Sequence, residues 1–146
     1  MTDFTPCLWA FLACIPFGAV MNLRGKTLLF ASLGGGIGWF FYLFSNPLQN
    51  DIMQYFVATI AISVYSEIMA RVFKMPVTGF LLTAMLPMVP GGGIYYTMEY
   101  CVIGNNEMFI ETGIHTLGIA GALAVGTLLV SSLVRLWHIV TQEKKI

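Results

Sequence analysis

"LPMVPGGGIYY", Leu86 to Tyr96, puts two prolines and three consecutive glycines inside an apolar run. Proline and glycine are the poorest helix formers, yet both flanks read as membrane helix. Ahead of the interruption, "PVTGFLLTAML" supplies about three helical turns, and behind it "IYYTMEYCVI" supplies slightly less. Each half covers roughly 15 Å at 1.5 Å per residue, about half of a ~30 Å hydrocarbon core. Neither half spans alone. Joined, the run Pro76–Ile103 predicts a transmembrane segment broken near the bilayer midplane at Pro87–Gly93.

The rest of the chain sets the context for that break. Of 146 residues, 58% are hydrophobic and 10% charged, and mean hydropathy is +0.81. A water-soluble domain carries about 25% charged residues, so the composition reads as an integral membrane protein with the lipid bilayer as its first partner. The formal net charge of zero offers no basic patch for nucleic acid. Four further apolar segments accompany the broken one: Thr5–Asn22, Thr27–Phe44, Ile52–Ala70 and Ile110–Trp137. Each holds about 18 residues or more, enough to cross as a helix. The ~10-residue alternating strands of a membrane barrel are not seen. The fold class is therefore all-α, with about five transmembrane helices in one transmembrane domain covering residues 1–146. No Lys or Arg precedes the first apolar stretch, so it reads as a retained helix rather than a signal peptide.

Loop charges predict the orientation. Arg24 and Lys26 follow the first segment, Arg71 and Lys74 the third, and Arg135, Lys144 and Lys145 lie at the end of the fifth. The opposite ends carry Asp3, Asp51, Glu107 and Glu111. Basic residues mark the cytoplasmic side, which puts the N-terminus outside and the C-terminus in the cytoplasm. If Pro76–Ile103 dipped in and returned as a re-entrant loop, the basic tail would finish outside. The charges favour a crossing.

Unpaired backbone at membrane depth persists only against protein or a wet cavity. Secondary transporters use it that way, with a half-helix N-terminus aimed at an anionic group. Pro90 stands just before such a start, and the N–H groups of Gly91 to Ile94 are expected to be free donors. The candidate substrate-binding residues are thus Pro90, Gly91, Gly92 and Gly93, with Tyr95, Tyr96 and Thr78 as wall residues. The competing reading is a proline kink whose glycines permit a close helix crossing.

The candidate proton-coupling or gating residues are Glu67, Arg71, Glu99 and His115. Glu67 and Arg71 form an i, i+4 pair, read as a gate at the inner mouth or as an interfacial ion pair. His115 lies four residues after Glu111 on a face continued by Gly118, Ala122 and Gly126, and is a proton relay or a packed histidine. Glu99 lies two turns beyond the break, as a coupling carboxylate or in the outer headgroup layer. The second glycine cluster, "SLGGGIGW" (Ser32–Trp39), lacks proline and reads as a close crossing against segment four. Cys7, Cys14 and Cys101 form no CxxC pair and read as packing residues. No metal site or cofactor is expected. Without a nucleophile partner for His115 or His138, the chain does not read as an enzyme.

The stretch "YSEIMARVFKMPVTGFLLTAMLPMVPGGGIYYTM", Tyr65–Met98, resembles the signature region of the small membrane subunit of the threonine/serine exporter (ThrE-type) family. A Ser-Glu pair, an Ala-Arg, a Pro-x-Thr and a Pro-x-x-Pro-Gly-Gly run ending in Tyr occur in the family's order. Thr83-Ala84-Met85-Leu86 replaces the usual Pro-Gly-Ile-Ile. The resemblance implies a split five-span module, also associated with succinate export, in the bacterial inner membrane. It further implies a subunit of a proton-driven exporter of small carboxylates, either threonine/serine or a C4-dicarboxylate. The implied partner is a larger homologous membrane subunit, a second copy of the chain, or both. A structural assembly subunit that supports the transporting partner is the alternative.

Overall fold

In a computed structural model describing residues 4–48 and 50–143, helices are the only regular elements among the described residues. They are α1 (Thr5–Val20), α2 (Lys26–Phe44), α3 (Asp51–Phe73), α4 (Val77–Met85), α5 (Gly91–Ile103) and α6 (Asn106–Glu143). Short 3-10 turns occupy Asn46–Leu48 and Leu86–Met88. Asp3, Lys144 and Lys145 lie outside the described residues.

Local chemistry accounts for the helix ends. At the end of α3, Lys74 adopts a left-handed conformation (φ 53°). The Met75 N–H then reaches back to the Ala70 carbonyl at 2.9 Å, and Pro76 prevents continuation. At the end of α5, Gly104 takes φ 81° and the Asn105 N–H closes on the Tyr100 carbonyl at 3.0 Å, the same capping geometry. The Asn105 side chain then accepts the Met108 N–H at 3.3 Å and starts α6.

Three helices, α2, α3 and α6, are individually long and apolar enough to cross a membrane. The pair formed by Val77–Met88 and α5 qualifies when taken together, bent by 52° at the break. α1 is apolar but has 16 residues, ending two short of the Asn22 expected from sequence. Asn22 (φ 60°) and Gly25 (φ 59°) turn the chain there.

Small residues set the packing. A methyl group on Gly34 would lie 2.6 Å from Ala84 Cβ, and one on Gly38 would lie 2.8 Å from Ile62 Cγ1 and 3.5 Å from Met88 Cε. Gly35 closes on Cys14 and on Pro87. The crossing expected of the second glycine cluster is therefore real, and α4 with its following turn is among its partners. On α6, Gly118 meets Ile52 and Gly126 meets Thr59. Rising residue numbers pair in step, so α3 and α6 run parallel.

A cluster of Leu23, Ala31, Ala70 and Phe80 joins the α1–α2 turn to the α3–α4 turn. Arg24, Lys26, Arg71 and Lys74 consequently share one end of the bundle. α5 packs chiefly on α6 and has no buried residue.

Candidate transport site

The break begins beside the middle of α3, because Met88 and Ile62 share one buried cluster and both close on Gly38. Pro90, at φ −77° and ψ 57°, centres an inverse γ-turn. Its geometry delivers the Gly91 N–H to the Val89 carbonyl at 2.7 Å. The Ile94 N–H donates to the Pro90 carbonyl at 3.1 Å, the first helical bond of α5. This corrects the expectation of four free donors from Gly91 to Ile94. The turn takes one and helix propagation takes another, which leaves the N–H groups of Gly92 and Gly93 without an intrachain acceptor among the described residues.

The three glycines also differ in surroundings. A side chain on Gly91 or Gly92 would meet no atom within 4 Å among the described residues. Gly93 is closed by Thr116 of α6, whose Cγ2 would lie 3.2 Å from an added methyl. Tyr95 and Tyr96 pack edge to face at 5.4 Å and are both exposed. Tyr95 and Glu99 line a shallow cavity of about 390 Å³ with Met98, Val102 and Ile103. Thr97 and Thr83 bond back to the carbonyls of Gly93 and Gly79, at 2.7 and 2.8 Å, so neither hydroxyl proton is free for a ligand.

A second region lies at the basic end. Glu67 and Arg71 form their i, i+4 pair at 3.7 Å. Both line a cavity of about 490 Å³ with Thr78 of α4 and Ser131 and Arg135 of α6. The Glu67 side chain is 15% exposed and that of Arg71 49%. Three sequence candidates, Glu67, Arg71 and Thr78, thus meet in one cavity, which none of Pro90–Tyr96 lines. Arg135, read from sequence only as an end charge, adds a second guanidinium. The cavity holds two cations and one carboxylate beside two hydroxyls, a set able to bind a carboxylate and an ammonium together.

The third region joins α2, α3 and α6. His115 Nε2 lies 3.4 Å from Asp51 Oδ2, and the other Asp51 oxygen accepts the Tyr42 hydroxyl. Tyr42 packs on Tyr55 with ring centroids 4.8 Å apart. His115 is therefore held by a carboxylate from another helix and not by Glu111 on its own. Sequence reading missed Asp51 as a site residue because its place at the start of a span looked like a loop charge. The signal available was its position four residues before Tyr55 on the same helix face.

A family model described as a threonine/serine exporter, ThrE, matches residues 6–133. No curated protein and no solved structure matches the chain.

Proposed function

Because the chain belongs to the threonine/serine exporter family, a family of membrane transporters, we propose that it is a subunit of a bacterial inner-membrane secondary exporter of small carboxylates, driven by the proton gradient. The observation that carries this reading is the start of α5. Two backbone donors, Gly92 and Gly93, stand unpaired among the described residues at a half-helix N-terminus that follows a break beside the middle of α3. A substrate carboxylate supplies the acceptors that those donors lack.

The 52° bend supports one broken crossing over a reversal. The parallel run of α3 and α6 requires the chain between them to return to the far side, which a crossing by α4 and α5 provides. With the basic turns in the cytoplasm, the N-terminus lies outside, and α1 completes five crossings. Open space beside Gly91 and Gly92 makes this chain one wall of the path. A larger homologous subunit or a second copy supplies the other wall.

Glu67 bears on the choice between threonine/serine and a C4-dicarboxylate. Its carboxylate in the inner cavity attracts an α-ammonium and opposes a second carboxylate, which supports threonine and serine. The test is efflux of labelled threonine, serine and succinate from cells with and without the chain. Unchanged efflux of all three sinks the reading.

The same open wall favours one second reading, a structural subunit that positions a transporting partner. A photoreactive threonine analogue separates the two readings. Labelling within Pro90–Tyr96 supports the substrate site, and labelling confined to another chain supports the structural role.

A further inference from the structure

The cavity at the basic end gathers polar groups from three helices. Glu67 and Arg71 come from α3, Thr78 from α4, and Ser131 and Arg135 from α6. The parallel register that sets Thr59 against Gly126 carries Glu67 to the level of Val134, next to Arg135. Val77, Leu81 and Val134 add apolar lining. At about 490 Å³ the cavity lies within the roughly 300–1,000 Å³ of small-molecule sites. Thr78 and Arg135 are exposed, so a solute reaches them.

These five polar side chains stand uncommitted. None of them makes a hydrogen bond among the described residues. The Glu67–Arg71 contact, at 3.7 Å, is longer than the roughly 2.7–2.9 Å of a charge-assisted hydrogen bond. Glu67 is thus a carboxylate largely shielded from solvent whose acceptor sites are unfilled, and a carboxylate so placed needs donors. Arg135 has no ion pair among the described residues. Unlike Thr83 and Thr97, the Thr78 hydroxyl does not bond back to its own helix. α4 begins at Val77 with no side-chain cap. Its first-turn N–H groups and the positive end of its dipole therefore favour an anion at the same cavity.

We propose that this cavity is a second substrate station, which receives a hydroxy-amino acid zwitterion before it reaches the start of α5. The Glu67 carboxylate takes the α-ammonium, exchanging its loose contact with Arg71 for the substrate. The Arg135 guanidinium and the first turn of α4 take the α-carboxylate. The Thr78 and Ser131 hydroxyls take the side-chain hydroxyl. The two places divide recognition between them. The free groups at the start of α5 are backbone donors, which suit any carboxylate. The cavity adds an acceptor for the ammonium and partners for the hydroxyl, and so supplies the selectivity that the glycines lack.

The inference rests on the exporter reading, and the experiment separates the two. Everted vesicles from cells carrying the full chain present the cytoplasmic face, and with it this cavity, to the medium. Initial rates of labelled threonine uptake are measured against concentration. The competitors are α-aminobutyrate, which lacks the hydroxyl, β-hydroxybutyrate, which lacks the ammonium, and threoninol, which lacks the carboxylate. Glu67→Gln and Arg135→Gln should each raise KM for threonine about tenfold or more, the loss expected for a hydrogen bond to a charged group, with the maximal rate within about twofold of wild type. β-Hydroxybutyrate should then compete as well as threonine in Glu67→Gln, and threoninol should do so in Arg135→Gln. Ser131→Ala keeps every charge, and should raise KM for threonine about threefold without changing competition by α-aminobutyrate. Wild-type KM in all three variants at matched expression overturns the station and leaves the exporter reading standing. A lower maximal rate at unchanged KM also overturns it, because the residues then serve turnover or assembly and not binding. Absence of threonine uptake in the wild type refutes the exporter reading itself, and the station with it.

Discussion

The chain contains two runs of three glycines, Gly34–Gly36 in α2 and Gly91–Gly93 at the start of α5, and they do opposite things. Around the first run every position is occupied. Gly34 faces Ala84 and Tyr65, Gly35 faces Cys14, and Gly36 lies against the Cys7 carbonyl, 3.3 Å from where its methyl would be. Around the second run two of the three positions face no atom within 4 Å among the described residues. Identical residues thus serve helix contact in one place and backbone exposure in the other. The difference arises from proline: α2 has none, so its N–H groups stay within the helix, whereas Pro90 turns the chain and restarts the ladder.

The largest effect separating the runs is expected from Gly38→Leu, next to the closed run. Adding even small groups to a packed site costs about 1–3 kcal/mol, and leucine adds a full side chain against Ile62 and Met88. The variant should fail to yield a monodisperse species on size exclusion after extraction. Normal yield and elution would remove the distinction between the runs.

Gly92→Leu comes next, with the reverse signature. The open side accepts the side chain, so yield and thermal stability should stay within about 0.5 kcal/mol of wild type, the range of benign surface changes. Export should nevertheless be lost, since the leucine covers the free donors. Wild-type export at matched expression would show that the open glycines are not part of the path.

Gly93→Ala sharpens the boundary between the two behaviours. Its methyl presses on Thr116 and should destabilise the α5–α6 contact by about 1 kcal/mol, near the lower end for overpacking. Thr116→Ala should restore most of that loss. A double-mutant cycle in thermal denaturation checks it, with a coupling of at least about 0.5 kcal/mol expected for groups in contact.

The smallest effect is expected at His115→Gln. Gly118 and Gly126 make α6 a second closed glycine face, so the α3–α6 contact should be held by packing and only slightly by charge. The Asp51–His115 pair is about half exposed on the histidine side and is worth about 0–1 kcal/mol. The thermal stability of the variant should therefore stay within about 1 kcal/mol of wild type. A larger loss would mean that charge, not glycine packing, holds the face.

The elements were legible where one physical signal dominated. Apolar length gave the limits of α2 and α3 to within a few residues, and Pro87 with Pro90 located the break. Proline-free glycines in α2 pointed to a close crossing, and α4 is indeed a partner. Pairings between distant segments were not legible. Nothing local to Arg135 says that it joins Glu67 and Arg71, and nothing local to Asp51 says that His115 comes to meet it. Both depend on the parallel register of α3 and α6. The self-satisfied Gly91 donor was missed for a different reason: the γ-turn at Pro90 is one of several conformations its fixed φ permits, and only ψ decides between them.

α6 is 38 residues long, roughly 57 Å at 1.5 Å per residue, nearly twice a ~30 Å hydrocarbon core. Moderate tilt does not absorb the excess, so part of this helix must leave the hydrocarbon. Because α5 is carried almost wholly on its first turns, hydrophobic mismatch acts directly on the half-helix proposed to face the substrate. Bilayer thickness then becomes a control variable: in thicker lipid α6 is drawn upright and α5 moves with it, so transport rate should follow acyl-chain length even at constant protein stability.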